Sequence, residues 1–188
     1  MKVLTRLHML QRFWKYRLRD ERESLKWLLS LDLNGKTVVD VGANRGIYSY
    51  WMSRAVGPDG RVVAFEPQPE MAVFIAEVKT AFGLGALNVV GKGLSASPGT
   101  ATLRRAFVGS GGAFIGDSME SAEGMEELLV EVTTLDLALA GEQEVAVIKR
   151  DVEGHELEVF RGGEKILGTH GPALLFECHQ PAAEKGDL

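Results

Sequence analysis

Thr37-Val38-Val39-Asp40-Val41-Gly42-Ala43-Asn44-Arg45-Gly46-Ile47-Tyr48 reads as a short apolar strand ending in an acid, then a Gly-x-x-x-Gly turn that opens a helix. Arg61-Val62-Val63-Ala64-Phe65-Glu66-Pro67 repeats the strand and ends in a second acid. Near-continuous apolar strands of this kind are buried on both faces, as in a parallel sheet. Working outward, the spacing predicts a helix over 46–55, stopped by Gly57-Pro58-Asp59-Gly60, and another from Pro69 to Phe82, ended by Gly83. Further strands are expected at 88–91, 145–149 and 173–177, with a helix over 155–167. Thr100–Arg104 and Leu128–Thr133 look like partners in a hairpin-type insertion over about 98–133, and 134–139 like a short helix. The alternation predicts an α/β fold with a doubly wound, mostly parallel sheet.

In such a sheet a ligand approaches the carboxyl ends of the strands at the point where strand order reverses. Gly42 and Gly46 let the backbone come close, and the exposed N–H groups at the helix start favour an anionic group. A dinucleotide site normally shows G-x-G-x-x-G, which admits a pyrophosphate. Here Asn44 stands at the second glycine position, and Asp40 beside the turn would hinder a pyrophosphate. It would suit the cationic end of S-adenosylmethionine. Glu66 stands where an acid accepts both ribose hydroxyls. Ser95, after the third strand, falls where an adenine-contacting residue would lie. The structural alternatives are surface acids at strand ends and a turn serine.

A second cluster, Asp151-Val152-Glu153-Gly154-His155-Glu156, follows the fourth strand, whose carboxyl end lies beside that of the first. Asp151, Glu153 and His155 then face the reactive end of the cofactor. Methyl transfer is an in-line displacement that needs an aligned nucleophile and, for a hydroxyl, a general base. His155 has a suitable ordinary pKa, and Asp151 serves if burial raises it. The competing reading is capping of the following helix by Asp151 or Glu153. Alternate acids in one turn are a weak metal signature, and no metal is expected. His179 reaches the same crevice or faces solvent, and the stretch 109–124 is a lid over substrate or a mobile insertion.

The 188-residue chain is long enough for one domain with a small appendage. No stretch is long enough to span a bilayer, and the basic N-terminus lacks the apolar run of a signal peptide. One cysteine, Cys178, makes no internal disulfide and fits a reducing cytosol, so a cytoplasmic location is expected. A net charge of −5 argues against nucleic acid as a partner. Residues 1–33 are locally basic, with Leu4, Leu7, Leu10, Trp14 and Leu18 at helical spacing. This segment reads as a basic amphipathic helical extension of the 34–188 domain, packed on it with a solvated basic face or touching a membrane or anionic surface. A second short helix is expected over 21–31, with Leu25, Leu28 and Leu29 inward.

At these residues the chain resembles the FkbM family of S-adenosylmethionine-dependent methyltransferases. The matching pieces are Val39-Asp40-Val41-Gly42-Ala43-Asn44-x-Gly46, Ala64-Phe65-Glu66-Pro67-x-Pro69, Thr134-Leu135-Asp136, Ile148-Lys149-x-Asp151-Val152-Glu153-Gly154-His155-Glu156 and Leu175-Phe176-Glu177-x-His179. The resemblance implies a Rossmann-like class I methyltransferase fold. It implies methyl transfer to an oxygen of a sugar, glycan or polyketide-type metabolite. It implies a cofactor set of Asp40, Gly42, Ala43, Asn44, Gly46, Glu66 and Ser95, with Asp151 near the transferred methyl. Arg150 departs from the family's apolar strand residue, so Lys149 or Arg150 must enter a sheet face or snorkel out. Related folds continue past the fifth strand with a helix and two more strands. The expectation here is a sheet lacking those two, its edge left open or covered by a second copy. The competing functions are a non-catalytic binding module of the same fold and an NAD-dependent oxidoreductase.

Overall fold

The structure is a computed structural model that describes residues 3–116, 124–152 and 154–176. Its centre is a sheet of β1 (Thr37–Val41), β2 (Arg61–Phe65), β3 (Leu87–Val90), β8 (Val145–Arg150) and β9 (Ala173–Phe176). The strands are parallel throughout and ordered β3-β2-β1-β8-β9. The expected doubly wound sheet is the observed one, and strand order reverses between β1 and β8. The residues following β9 lie outside the described ones.

Alternation along each strand sorts side chains to two cores. Val38, Val62, Ala64 and Val147 face one core with Ile75 and Val78 of α4 (Pro69–Phe82) and Met52 of α3 (Ile47–Ala55). Val39, Val41, Val63, Phe65 and Ile148 face the other. The same rule resolves the two adjacent cations. Lys149 and Arg150 are both buried, on opposite faces: Lys149 beside the Tyr48 ring, Arg150 between the rings of Phe160 and Phe176.

The N-terminal extension packs on the first core through a face other than the leucine stripe. In α1 (Val3–Lys15) Met9 and Phe13 are buried, whereas Leu4, Leu7, Leu10 and Trp14, and Leu18 beyond the helix, are exposed; of the stripe Trp14 meets the domain, edge-on to Trp51 at 5.2 Å. Phe13 stacks on Tyr50 at 4.0 Å, and its carbonyl accepts from Trp51 Nε1 at 3.2 Å. Helical spacing finds an apolar stripe but cannot say which of two faces meets the domain, and here aromatic complementarity decides. A π-helical turn (Tyr16–Asp20) leads to α2 (Arg22–Leu28), where Leu25 and Leu28 are buried and Leu29 is half-buried. No helix among the described residues is long and apolar enough to cross a membrane.

The insertion is a second sheet, ordered β4-β7-β5-β6, of β4 (Gly93–Leu94), β5 (Gly99–Arg105), β6 (Phe114–Ile115) and β7 (Glu126–Thr133). β5 and β7 pair antiparallel, as expected. The two-residue strands β4 and β6 carry too little pattern to be read from sequence. Buried Arg105 pins this sheet to the start of α4, bridging Glu70 at 2.8 Å and Glu126 at 2.9 Å. Its guanidinium holds the Glu70 carboxyl far below the usual range, at about 2.

The single helix expected over 155–167 is two, α6 (Glu156–Arg161) and α7 (Glu164–His170). A Cβ on Gly162 would stand 2.1 Å from the Ser95 carbonyl oxygen, so the chain breaks where it must pass another backbone. Asp136 then caps α7, accepting from the N–H groups of Lys165 and Ile166 at 3.2 and 2.9 Å. Thr134 caps α5 (Leu135–Ala138) by accepting from Leu137 N at 3.1 Å. Thr134-Leu135-Asp136 is thus a pair of helix caps. Thr134→Ala should cost about 1 kcal/mol in denaturant unfolding, and an unchanged midpoint would show the cap to be idle.

Candidate active site

The carboxyl ends of β1, β2 and β8 open into a cavity of about 350 Å³, within the usual size range of small-molecule pockets. Gly42, Ala43, Asn44, Glu66, Asp151 and His155 line it. Asp40, Gly46 and Ser95 are one layer behind the wall, and Glu153 lies outside the described residues.

The turn after β1 is latched to the end of β2. Gly42 and Ala43 N–H both donate to the Phe65 carbonyl at 3.0 Å. Asn44 N–H donates to Glu66 Oε2 at 2.7 Å, and Gln68 N–H to Oε1 at 2.9 Å. Asn44 has φ 46, a left-handed conformation that asparagine tolerates better than most side chains. The position of the second glycine in the dinucleotide motif therefore carries a side chain, held by donation from Nδ2 to the Ser110 carbonyl at 3.3 Å. Burial pushes the Glu66 carboxyl up to about 6, against the opposing pull of its two backbone donors. Each of its oxygens keeps a lone pair beyond the one used by the turn.

Asp40 is fully buried. Ser49 Oγ donates to its Oδ2 at 2.6 Å, and its Oδ1 lies 3.6 Å from Lys149 Nζ. Asp40 and Lys149 are register partners on β1 and β8, which puts them on the same face of the sheet. Lys149 Nζ is also 3.4 Å from Asp151 Oδ2 and 3.5 Å from the Gly42 carbonyl, and it lines the cavity. Motif matching placed Lys149 only as part of a run. Its role comes from the parallel pairing, which local spacing does not contain.

His155 immediately precedes α6, and its Nε2 is 3.1 Å from Ser95 Oγ. Burial lowers its pKa, so it is neutral at pH 7. It joins the insertion to β8, and Ser95 serves that joint. Asp151 remains half in solvent, with its carboxylate steadied by Lys149.

Residues 109–116 close the cavity from above. Gln68 Oε1 accepts from Gly109 N–H at 2.8 Å, and Gln68 Nε2 donates to the Ser110 carbonyl at 3.4 Å. Phe114 and Ile115 add an apolar wall. Sequence reading singled out this segment but not Gln68, its tether. The opposite wall comes from the N-terminal extension, as Arg12, Tyr16 and Glu21. Glu21 Oε2 accepts from the Tyr48 hydroxyl at 3.0 Å, and burial and that carboxylate raise the Tyr48 pKa, keeping it a donor. Among the described residues, no cluster of His, Cys, Asp and Glu is placed to hold a metal ion.

A family model described as a methyltransferase FkbM domain matches residues 40–188. Among solved structures the chain is similar to a methyltransferase FkbM from Methylobacillus flagellatus, at 20% identity and a TM-score of 0.55 over 78% of this chain. It spans 34%, about a third, of that protein's length. A SAM-dependent methyltransferase from Aquifex aeolicus matches at 33% identity over 40% of this chain and 39% of its own, with a TM-score of 0.35. A SAM-dependent O-methyltransferase from Thermotoga maritima matches at 26% identity over 37% of this chain and 28% of its own, with a TM-score of 0.35. No curated protein matches the chain significantly.

Proposed function

The chain belongs to the FkbM methyltransferase family, and on that premise we propose that it methylates a hydroxyl oxygen of a sugar, glycan or polyketide-type metabolite. The methyl donor is S-adenosylmethionine, which supplies when bound an electrophilic methyl on a sulfonium. The residues present fit this cofactor. Glu66 offers free lone pairs to a ribose, and the Gly42-Ala43-Asn44 turn gives the backbone close approach. The carrying observation is that Glu66 at the end of β2 and Asp151 at the end of β8 line one cavity on either side of that turn. Asn44, where a dinucleotide site has its second glycine, supports this reading over the nicotinamide one.

We assign Asp151 as the general base. Position, not burial, recommends Asp151: His155 Nε2 is engaged by Ser95 Oγ, whereas the Asp151 carboxylate, half in solvent, is open to the cavity and oriented by Lys149. A hydroxyl acceptor would lose its proton to Asp151 as its oxygen attacks. Phe114, Ile115 and the tethered loop exclude water from the site.

Two measurements test this. Calorimetric titration should show S-adenosylmethionine binding and no comparable NAD binding; the reverse would restore the oxidoreductase reading. Asp151→Asn should slow methyl transfer to a hydroxyl acceptor by about 10²-fold, the low end for a general base, while cofactor affinity stays within a few-fold. Full transfer by the variant would remove Asp151 from the chemistry.

A further inference from the structure

We infer that Arg12, from the N-terminal helix and outside the residues matched by the family, receives the carboxylate at the amino-acid end of the cofactor. This rests on the proposed cofactor reading and goes beyond it, because it makes the extension part of the binding site.

Arg12 is set by the packing of α1. Phe13, beside it, is fully buried, stacked on Tyr50 and bonded through its carbonyl to Trp51. Arg12 therefore has a fixed base, and its guanidinium lies over the Tyr16 ring at 5.7 Å, on the cavity wall. Its Nε is buried and has no hydrogen-bond partner among the described residues. A buried guanidinium donor left empty is costly; because Nε itself is closed to solvent, an anionic ligand group would meet the guanidinium from the cavity that Arg12 lines.

The other cations of the wall are placed differently. Lys92 pairs with Glu131 at 2.8 Å, and Lys149 is held among Asp40, Asp151 and the Gly42 carbonyl. Arg45 Nη2 lies on the insertion side, 3.3 Å from where a Gly109 Cβ would stand. Arg12 instead shares its wall with Tyr16 and Glu21, and Glu21 accepts from the Tyr48 hydroxyl, whose ring lies 4.9 Å from Lys149 Nζ at the β8 end. A ribose held by Glu66 at the end of β2 lies two strand spacings, roughly 10 Å, from that end. The remainder of an extended ligand then crosses the β1 turn toward Arg12. The carboxylate is the one anionic group that S-adenosylmethionine carries. Glu21 and Asp151 at the same end complement its positive charges.

The test compares S-adenosylhomocysteine with methylthioadenosine, which shares the adenosine thioether but lacks the amino-acid end. Arg12→Met should weaken S-adenosylhomocysteine binding by about ten- to a hundredfold and leave methylthioadenosine binding unchanged. Unchanged affinity for both overturns the assignment and points to Arg12 as a contact for the acceptor or for none. Equal loss of both, in a variant with wild-type thermal unfolding, also overturns it. If Arg12→Met does not fold, Arg12→Lys, which keeps the charge but loses the forked donors, is read the same way. A fall in the ratio of the two affinities supports the assignment, and an unchanged ratio ends it. A wild-type chain that binds neither compound fails the cofactor reading itself and takes this assignment with it. A wild type that binds both equally overturns the Arg12 assignment alone.

Discussion

Glu66→Ala should reduce S-adenosylmethionine affinity by about 3–5 kcal/mol, from roughly 150-fold to a few thousandfold. Two effects combine. The ribose loses its bonds to a charged acceptor, worth about 1.5–3 kcal/mol. In addition the Asn44 and Gln68 N–H groups, held by Glu66 at 2.7 and 2.9 Å, lose their partner, and the turn that presents the cofactor is unlatched. Glu66→Gln should be nearly as damaging. One amide oxygen can accept only one of those donors, and its NH₂ faces the other. The protonation of Glu66 adds a pH signature. Its folded pKa is raised to about 6, above the ordinary carboxylate value. The folded state therefore holds a proton between pH 4.5 and 6 that the unfolded state releases. The apo protein loses about 2 kcal/mol of stability as pH rises through that window. Cofactor affinity runs the other way, because ribose hydroxyls donate best to the carboxylate, and should climb as pH rises through 6. Calorimetric titration from pH 5 to 8 measures it. A flat profile in wild type, or micromolar binding by Glu66→Ala, would place the ribose elsewhere.

How much of this was legible in sequence follows from the range of each interaction. β1, β2 and the start of α4 lie where local patterns put them, since continuous apolar runs, a Gly-x-x-x-Gly turn and a proline at the first helical position are short-range signals. The acids after β1, β2 and β8 could be placed because parallel topology brings strand ends together whatever the side chains do. What resisted reading depends on contacts across the chain. Asp40 was legible as an acid beside the turn, but its burial behind the wall follows from Ser49 and Lys149, one turn of helix and one strand away. Both Lys149 and Arg150 enter the sheet because each finds partners on its own face, acids for one and aromatic rings for the other. The break at Gly162-Gly163 follows from the passage of Ser95. The leucine stripe of α1 marked a helix correctly, while the face that packs is defined by Tyr50 and Trp51, some 40 residues on in sequence. Arg12 reaches the cavity only through that packing.

Gly42→Ala should be among the most damaging single methyls at the described residues. Gly42 has φ +74, where a side chain costs about 1–2 kcal/mol. Its added Cβ would also stand 2.0 Å from the backbone oxygen of Asp151. Asp151 N–H donates to the Val41 carbonyl at 3.1 Å and continues the β1–β8 pairing, so pushing the Asp151 backbone away disturbs that junction. Relief requires the ends of β1 and β8 to separate, where Asp40, Lys149 and Asp151 meet. The total exceeds about 4 kcal/mol, the exceptional range for one substitution, and should lower the melting temperature by more than about 10 °C. Gly46→Ala is the control. It has a similar φ of +72, but its Cβ would meet Ile75 at 3.5 Å and Ser49 Cβ at 4.0 Å, ordinary contacts. It should cost only the backbone strain, about 1–2 kcal/mol, and leave cofactor binding detectable. Thermal unfolding and titration of the two variants side by side separate backbone strain from collision. If Gly42→Ala melts and binds like Gly46→Ala, the close approach of Gly42 to Asp151 is not what joins the two halves of the site.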